Sequence, residues 1–237
     1  MNPSIERLRT KLEVDPPGWA GRNLILVALG DSVTAGLGIN PVMIGNDVYH
    51  EQFRRDLIAA YSKRGFSTIN AGIGGDTTRG ALVRLQSDVL DHHPDLVVVC
   101  YGLNDCGAGA RGEETFRRNL AEIVARIEER AAVILLTPNM MATRDHVGVD
   151  PNYKKHIHEF VRQQTDGTLD RYVDIIREVA AAAPVPLADG YAEWKRRQAA
   201  GEDTTSWLVN GFNHPDARGH RILADVLWKT FATAVGR

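Results

Sequence analysis

Short apolar runs alternate with longer segments of helical periodicity along most of this chain. Five of the apolar runs have the length of buried strands: 24–29, 66–70, 95–101, 132–137 and 185–188. Between them, apolar residues recur at helical spacing, as in Phe116, Leu120 and Ile123. Because helices separate the strands, the strands must pair in parallel through right-handed crossovers. The pattern predicts an α/β fold with a five-strand parallel sheet and helices on both faces.

Two segments depart from this alternation. Residues 1–22 hold one short amphipathic stretch that ends at Asp15-Pro16-Pro17-Gly18, and they are predicted to be an N-terminal adapter segment. The remainder, 23–237, is predicted to be a single domain, since its length suits one large core. Residues 139–168 show no clear element and are predicted to be a long irregular loop, a kind that is often functional.

Charge and composition narrow the classes of partner. The 237 residues include 28 basic and 30 acidic ones, scattered along the chain. They create no strong positive electrostatic field that would attract a nucleic acid or an anionic membrane surface. No apolar run approaches a bilayer span, and the N-terminus lacks the apolar core of a signal peptide. The chain as it stands is predicted to be cytoplasmic, with export through a removed signal left open. The oligomeric state is open as well.

The two cysteines, Cys100 and Cys106, end an apolar strand and follow it in a loop. We interpret them as a buried thiol and a loop thiol rather than a disulfide or a metal pair, because no second cysteine cluster exists. No cofactor and no metal are expected.

Candidate chemistry collects where the predicted strands end. In an open parallel sheet, ligands bind beyond the carboxyl ends of the strands. Four polar or glycine-rich segments fall at such positions: Gly30-Asp31-Ser32, the run 71–77, Gly102-Leu103-Asn104-Asp105, and the run 210–215 before the last helix. Each alone is a common turn or helix cap. Four of them in order at the ends of one sheet predict a site.

These segments offer the groups that acyl transfer needs. Ser32 places a hydroxyl on a strand-to-helix turn, where it can act as a nucleophile. The glycines at 72, 74 and 75 allow backbone N–H groups to approach a developing oxyanion, and Asn104 adds amide donors. His214, held by Pro215, can take the serine proton and return it. Nucleotide binding by the glycine-rich run 71–77, called the glycine loop below, is a weaker interpretation, because no Lys-Ser/Thr follows it.

The four segments resemble the SGNH, or GDSL, hydrolase family. The matching blocks are Gly30-Asp31-Ser32-Val33-Thr34-Ala35-Gly36, 70–78, Gly102-Leu103-Asn104-Asp105, and Asn213-His214-Pro215. The resemblance implies a three-layer α/β/α, flavodoxin-like fold with strand order 2-1-3-4-5. It also implies metal-free ester hydrolysis through an acyl-serine, with Ser32 and His214 catalytic. The oxyanion hole would consist of the N–H groups of Ser32 and Gly75 and the side chain of Asn104.

One position departs from the family pattern. The family usually has an aspartate three residues before the histidine, and this chain has Gly211 there. The candidates to support His214 are therefore Asn210, Asp203 and Asp189, with a backbone carbonyl as a further possibility. A carboxylate at this place orients the imidazole and stabilises its charged form, so its replacement bears on activity.

The expected function is that of a serine ester hydrolase. By analogy with the family, we expect it to remove acetyl or another short acyl group from a carbohydrate or small ester. One alternative is a lysophospholipase, thioesterase or lipase on the same machinery, which the scarcity of large apolar residues in 139–168 disfavours. A second is a ligand-binding protein weakened in catalysis by Gly211. Trp194 and Trp207 either line a sugar subsite or pack in the core.

Overall fold

The computed structural model describes residues 2–13, 21–38, 43–145, 149 and 154–237. The centre of the fold is a parallel sheet of five strands in the order β2-β1-β3-β4-β5. The strands are β1 (Leu24–Gly30), β2 (Phe66–Gly72), β3 (Leu96–Cys100), β4 (Ala132–Leu136) and β5 (Leu187–Ala188). The predicted α/β class and strand order are confirmed.

Helices cover both faces of the sheet. Their bounds are α1 (Pro3–Glu13), α2 (Ser32–Ala35), α3 (Tyr49–Ala60), α4 (Thr78–Asp88), α5 (Glu113–Glu128), α6 (Ile157–Thr165), α7 (Thr168–Ala182), α8 (Gly190–Ala199) and α9 (Ala217–Val235). One layer joins α1, α3 and α8 through contacts with α9, and the other runs from α4 through α5 and α7 to α6. The result is the three-layer arrangement that the resemblance implied.

Burial explains the strand sequences. Every residue of β3 and β4 is buried, because both faces of these central strands are covered, so their sequences are continuous apolar runs. The edge strand β2 mixes buried and exposed positions instead. On α5 the buried residues recur at helical spacing and fix which face packs inward.

The structure differs from the sequence prediction in three places. The stretch 139–168 includes the regular helix α6, so the prediction of a wholly irregular loop is wrong. Helix α8 is absent from the sequence prediction, because it has few apolar residues; the side chain of Asp189 caps its first turn by accepting from the N–H of Ala192. Strand β5 is only two residues long.

The N-terminal helix α1 is part of the hydrophobic core. Its residues Ile5, Leu8 and Leu12 are buried, and it contacts β4 and α9. The division into an adapter over 1–22 and a domain over 23–237 stays a prediction, and the Asp15–Gly18 break with its surroundings, residues 14–20, lies outside the described residues. No helix in the described ranges is long and apolar enough to cross a bilayer.

Candidate active site

Ser32 opens a one-turn helix directly after β1. The carboxylate of Asp31 caps α2 by accepting from the N–H of Val33 at 2.9 Å, and Gly36 ends the turn in a left-handed conformation. The turn is anchored through Thr34, whose hydroxyl bonds the Tyr49 hydroxyl at 2.9 Å. Ser32 is 5% exposed, so its hydroxyl lies at the floor of a recess rather than on an open surface.

Two glycines in the run 70–78 occupy positions that favour glycine, each for a different structural reason. A Cβ on Gly72 would lie 2.2 Å from the backbone nitrogen of Ala35, so only glycine lets α2 approach the end of β2. Gly75 has a φ of 74°, and a Cβ at this position would meet no atom of the described residues within 4 Å. Its backbone therefore borders open space at the carboxyl edge of the sheet.

His214 lies within hydrogen-bonding distance of the serine. Its Nε2 is 2.9 Å from Oγ of Ser32, and its Nδ1 is 2.9 Å from the carbonyl oxygen of Gly38. A carbonyl oxygen only accepts, so Nδ1 carries the proton and Nε2 is left to accept from the serine hydroxyl. The structure thus brings together the two residues predicted to be catalytic, and it places a backbone carbonyl behind the imidazole.

Asn210 supports the backbone of His214. Its Oδ1 accepts from the N–H groups of Phe212, Asn213 and His214 at 3.2, 3.0 and 2.9 Å. Its Nδ2 donates to Oδ1 of Asn213 at 2.9 Å. One buried side chain therefore holds the whole turn that carries the imidazole.

The other two candidates for support of the imidazole have different partners. Asp203 pairs with Arg144 at a half-exposed position. Asp189 caps α8 and also accepts from the Thr137 hydroxyl at 3.0 Å and from Nε of Arg177 at 2.9 Å. The carboxylate of Asp189 is thus committed to joining the end of β4 with α7 and α8.

Asn104 stands beside the nucleophile turn. Its Nδ2 donates to the backbone oxygen of Asp76 at 2.9 Å and lies 3.5 Å from Oδ2 of Asp31. The amide carries two hydrogens, and the second contact is at the outer limit of a hydrogen bond. One N–H is therefore held only weakly and can turn toward a developing negative charge.

Arg84 on α4 joins three strand ends to the glycine loop. Its guanidinium donates to the carbonyl oxygens of Gly30 at 3.2 Å and Ala71 at 2.7 Å, and to the carboxylate of Asp76 at 2.7 Å. It also donates to the hydroxyl of Tyr101 at 2.8 Å, and that hydroxyl donates to Asp76 at 2.9 Å. Reasoning from the strand ends missed this residue, because Arg84 belongs to a helix.

Burial shifts two titratable groups near the site. Removal from water raises the pKa of Asp31 to about 7; the negative charges of Asp105 and Asp76 add to the rise, and the hydrogen bond from Val33 opposes it. Burial lowers the pKa of His220 to about 3, so this second histidine of the last block is neutral and sealed in the core. His220 is therefore not placed to serve as the base.

The two tryptophans considered for a sugar subsite and the two cysteines all lie in the hydrophobic core. Trp194 and Trp207 are buried and pack edge to face with ring centroids 5.2 Å apart. Cys100 and Cys106 are both free and buried, including the one interpreted as a loop thiol. Among the described residues, no group of three or more histidine, cysteine, aspartate or glutamate side chains is arranged to hold a metal ion.

A serine hydroxyl bonded to an imidazole, with amide and backbone donors nearby, is an arrangement suited to acyl transfer. Comparison with known families agrees with this geometry. The model of the GDSL-like lipase/acylhydrolase family matches residues 28–222, which span all four strand-end segments. The chain belongs to this family, and its class is that of the carboxylic ester hydrolases.

Individual relatives lie at moderate similarity. An arylesterase of Vibrio mimicus is 33% identical over 202 residues, covering 84% of each chain. An uncharacterized lipoprotein of Bacillus subtilis (strain 168) is 25% identical over 217 residues, covering 84% of this chain and 85% of the relative. The solved structure of Axe2, an acetylxylan esterase from Geobacillus stearothermophilus, has a TM-score of 0.67 at 22% identity, covering 92% of this chain and 96% of the other. At that identity the structural likeness establishes the fold.

Proposed function

We propose that this protein hydrolyses esters of short acyl groups, most simply acetyl, carried by a carbohydrate or another small alcohol. The observation that carries the proposal is the 2.9 Å hydrogen bond between Ser32 Oγ and His214 Nε2, with the Gly38 carbonyl on the other ring nitrogen. The short acyl group and the sugar are supported by the names of the relatives, an arylesterase and an acetylxylan esterase.

The reaction follows from the positions of these groups. Ser32 Oγ attacks the ester carbonyl carbon while His214 Nε2 takes the hydroxyl proton. The oxyanion accepts hydrogen bonds from the N–H groups of Ser32 and Gly75 and from the weakly held N–H of Asn104. The intermediate collapses, the C–O bond to the alcohol breaks, and His214 protonates the departing oxygen. Water, deprotonated by His214, then attacks the acyl-serine; the bond from the acyl carbon to Ser32 Oγ breaks, His214 returns the proton to Oγ, and the acid is released.

The Gly38 carbonyl takes the orienting role that an aspartate has in most such sites. It fixes the tautomer of His214 through Nδ1, which is the geometric half of that role.

A second candidate, hydrolysis of longer acyl esters, is favoured by one feature of the surface. Ile73 in the glycine loop is 46% exposed and Met43 is 52% exposed. Leu37 lies between them, because it pairs with Met43 in an isolated β-bridge and its side chain lies next to Gly74, the residue after Ile73. An apolar strip beside the oxyanion donors would suit an acyl chain of the kind that a lipase or thioesterase binds.

A panel of p-nitrophenyl esters from acetate to palmitate tests both candidates. We expect kcat/KM to be highest for acetate or butyrate and to fall with chain length, and Ser32→Ala to lose at least a thousandfold. Ser87→Ala, a change at an exposed serine on α4, serves as the control and should keep the wild-type rate. Maximal activity on palmitate would favour the second candidate. Full activity in Ser32→Ala would remove Ser32 from the mechanism.

The protein has two candidate locations, the cytoplasm, which the sequence predicts, and the exterior of the cell. The lipoprotein relative is the observation that favours export. Fractionation of cells that express the native gene distinguishes the two locations directly.

A further inference from the structure

A cleft of about 280 Å³ opens between the N-terminal ends of α4 and α5, beside Asn104. Its lining includes Thr77, Arg79, Asn104, Asp105, Thr115 and Asn119. We propose that this cleft binds the alcohol part of the ester, a hydroxyl-rich group of about one sugar ring. This inference rests on the proposed function and adds to it the place where the alcohol part of the substrate binds.

One nearly buried polar side chain in the cleft has no partner within the described part of the chain. The side chain of Asn119 on α5 makes no hydrogen bond there, although the residue is only 7% exposed. Asp105 also lines the cleft, but its Oδ1 accepts both from the N–H and from the hydroxyl of Thr78, and its Oδ2 is sealed from solvent. Buried polar groups are nearly always bonded, so the amide of Asn119 points to an external partner.

The chemistry of these groups selects the alcohol side of the ester. An amide both donates and accepts, so the partner must offer both kinds of atom. Sugar hydroxyls do, whereas an acyl hydrocarbon would leave Asn119 unbonded. Arg79 adds an exposed guanidinium that is in no ion pair with a described residue. Its five N–H donors are available to ring oxygens and hydroxyls.

The size and position of the cleft agree with this choice. Sites for drug-sized ligands are usually about 300–1,000 Å³, and a volume of about 280 Å³ lies just below that range. This volume suits a group of about one sugar ring. Ala108 and Phe116 also line the cleft, and apolar side chains of this kind suit the C–H faces of a sugar ring. Since Asn104 borders both the cleft and the nucleophile turn, an ester carbonyl at the turn would place its alcohol near the cleft entrance.

The test compares two acetyl esters that differ only in the alcohol: an acetylated methyl β-xyloside and p-nitrophenyl acetate. Asn119→Leu should lower the ratio of kcat/KM for the sugar ester to that for the aryl ester at least tenfold. Glu122→Ala, an exposed change on the same helix, should leave the ratio at its wild-type value. An unchanged ratio in Asn119→Leu overturns the proposal. Failure of the wild type to hydrolyse either ester overturns the proposed function instead.

A second measurement begins with the wild-type enzyme, where no variant has to fold. Unesterified methyl β-xyloside should inhibit p-nitrophenyl acetate hydrolysis by the wild-type enzyme, and Asn119→Leu should raise the inhibition constant at least tenfold. The melting temperature of Asn119→Leu should equal or exceed that of the wild type, because an unbonded buried amide is replaced by an apolar side chain. Absence of inhibition in the wild type at any soluble concentration contradicts a sugar site in this cleft.

Discussion

At the scale of single residues, the sequence pattern suggests that a side chain supports the imidazole of His214, whereas the structure places a backbone carbonyl there. The imidazole is oriented by a backbone carbonyl, and the turn beneath it is held by Asn210. Because a carbonyl belongs to every residue, nothing in the sequence singles out Gly38. Asn210 was a candidate for contact with the ring, but its oxygen accepts from the backbone of the turn instead.

The first prediction concerns Asn210. Asn210→Ala leaves three buried N–H groups without their acceptor, and each such loss is costly. We expect the free energy of unfolding to fall by about 2–4 kcal/mol and kcat to fall at least tenfold, because the imidazole loses its position. Urea unfolding and p-nitrophenyl acetate kinetics measure the two effects.

Asp203→Ala is the matched control for this change. It removes a half-exposed ion pair with Arg144, and exposed pairs contribute little to stability. Its rate should stay within about twofold of the wild type, since rim pairs of this kind are energetically minor. If Asp203→Ala instead loses activity as Asn210→Ala does, the assignment of Gly38 as the orienting group fails.

The second prediction follows from the buried carboxyl of Asp31. Burial raises its pKa from 3.8 to about 7 in the folded state. The folded protein therefore binds a proton that the unfolded chain releases, so the contribution of this carboxyl to stability is fully present below about pH 4 and is lost as pH rises from about 4 to 7. Such a shift corresponds to at most about 4 kcal/mol at pH 8. Asp31→Asn removes this dependence.

We expect the stability advantage of Asp31→Asn over the wild type to grow by about 3 kcal/mol between pH 5 and pH 8. Urea unfolding at the two pH values measures it. The amide keeps an oxygen that can accept from Val33, so the helix cap is retained. A difference that is the same at both pH values means that Asp31 already titrates in its ordinary range.

At the scale of elements, Arg84 connects the ends of β1 and β2 with the glycine loop and with Tyr101. Position 84 is adjacent to the apolar stripe of α4, whose residue Leu85 is fully buried. The sequence therefore offered one weak signal, a charged residue at a position flanking a buried helix face. Strand-end reasoning located the polar groups of the site but not the helix residue that ties them together.

The third prediction is that Arg84 acts as a positioning residue. Arg84→Met leaves the nearly buried carboxylate of Asp76 without its cation, which costs about 3–5 kcal/mol. We also expect kcat to fall at least tenfold at little change in KM, because the ends of the strands that carry Ser32 and Gly75 lose their common anchor. Kinetics on p-nitrophenyl acetate and urea unfolding separate the two effects.

Arg84→Lys refines the test of that role. Lysine keeps the charge but cannot bond several acceptors in one plane, so its kcat should lie between the values of the wild type and Arg84→Met. A loss of stability in both variants with wild-type kcat would assign Arg84 to the fold alone.

At the scale of the whole molecule, the sheet was predictable because doubly covered strands must be apolar throughout. The runs that became β3 and β4 are fully buried, and their order followed from the resemblance of the blocks. Helix α8 was not predictable in this way, since its stability comes from the Asp189 cap and contacts with α9 rather than from a broad apolar stripe. The unpartnered amide of Asn119 was equally unpredictable, because the burial of a single polar residue does not show in the hydrophobic periodicity of the sequence.

The last prediction treats α1 as part of the cooperative core. Leu8 is 3% exposed, and Lys11 on the same helix bonds Asp95, next to β3, at 2.6 Å. If α1 were an appendage, truncating Leu8 would leave the unfolding of the rest unchanged. We expect Leu8→Ala to lower the free energy of unfolding by about 2–4 kcal/mol in a single transition, as for a buried leucine. Thr10→Ala, an exposed change on the same helix, should stay within about 0.5 kcal/mol. Because α1 packs against β4 and α9, and its Lys11 bonds Asp95 before the start of β3, at the edge of the sheet opposite the strand ends that carry Ser32 and Asn104, kcat of the folded Leu8→Ala enzyme should match the wild type.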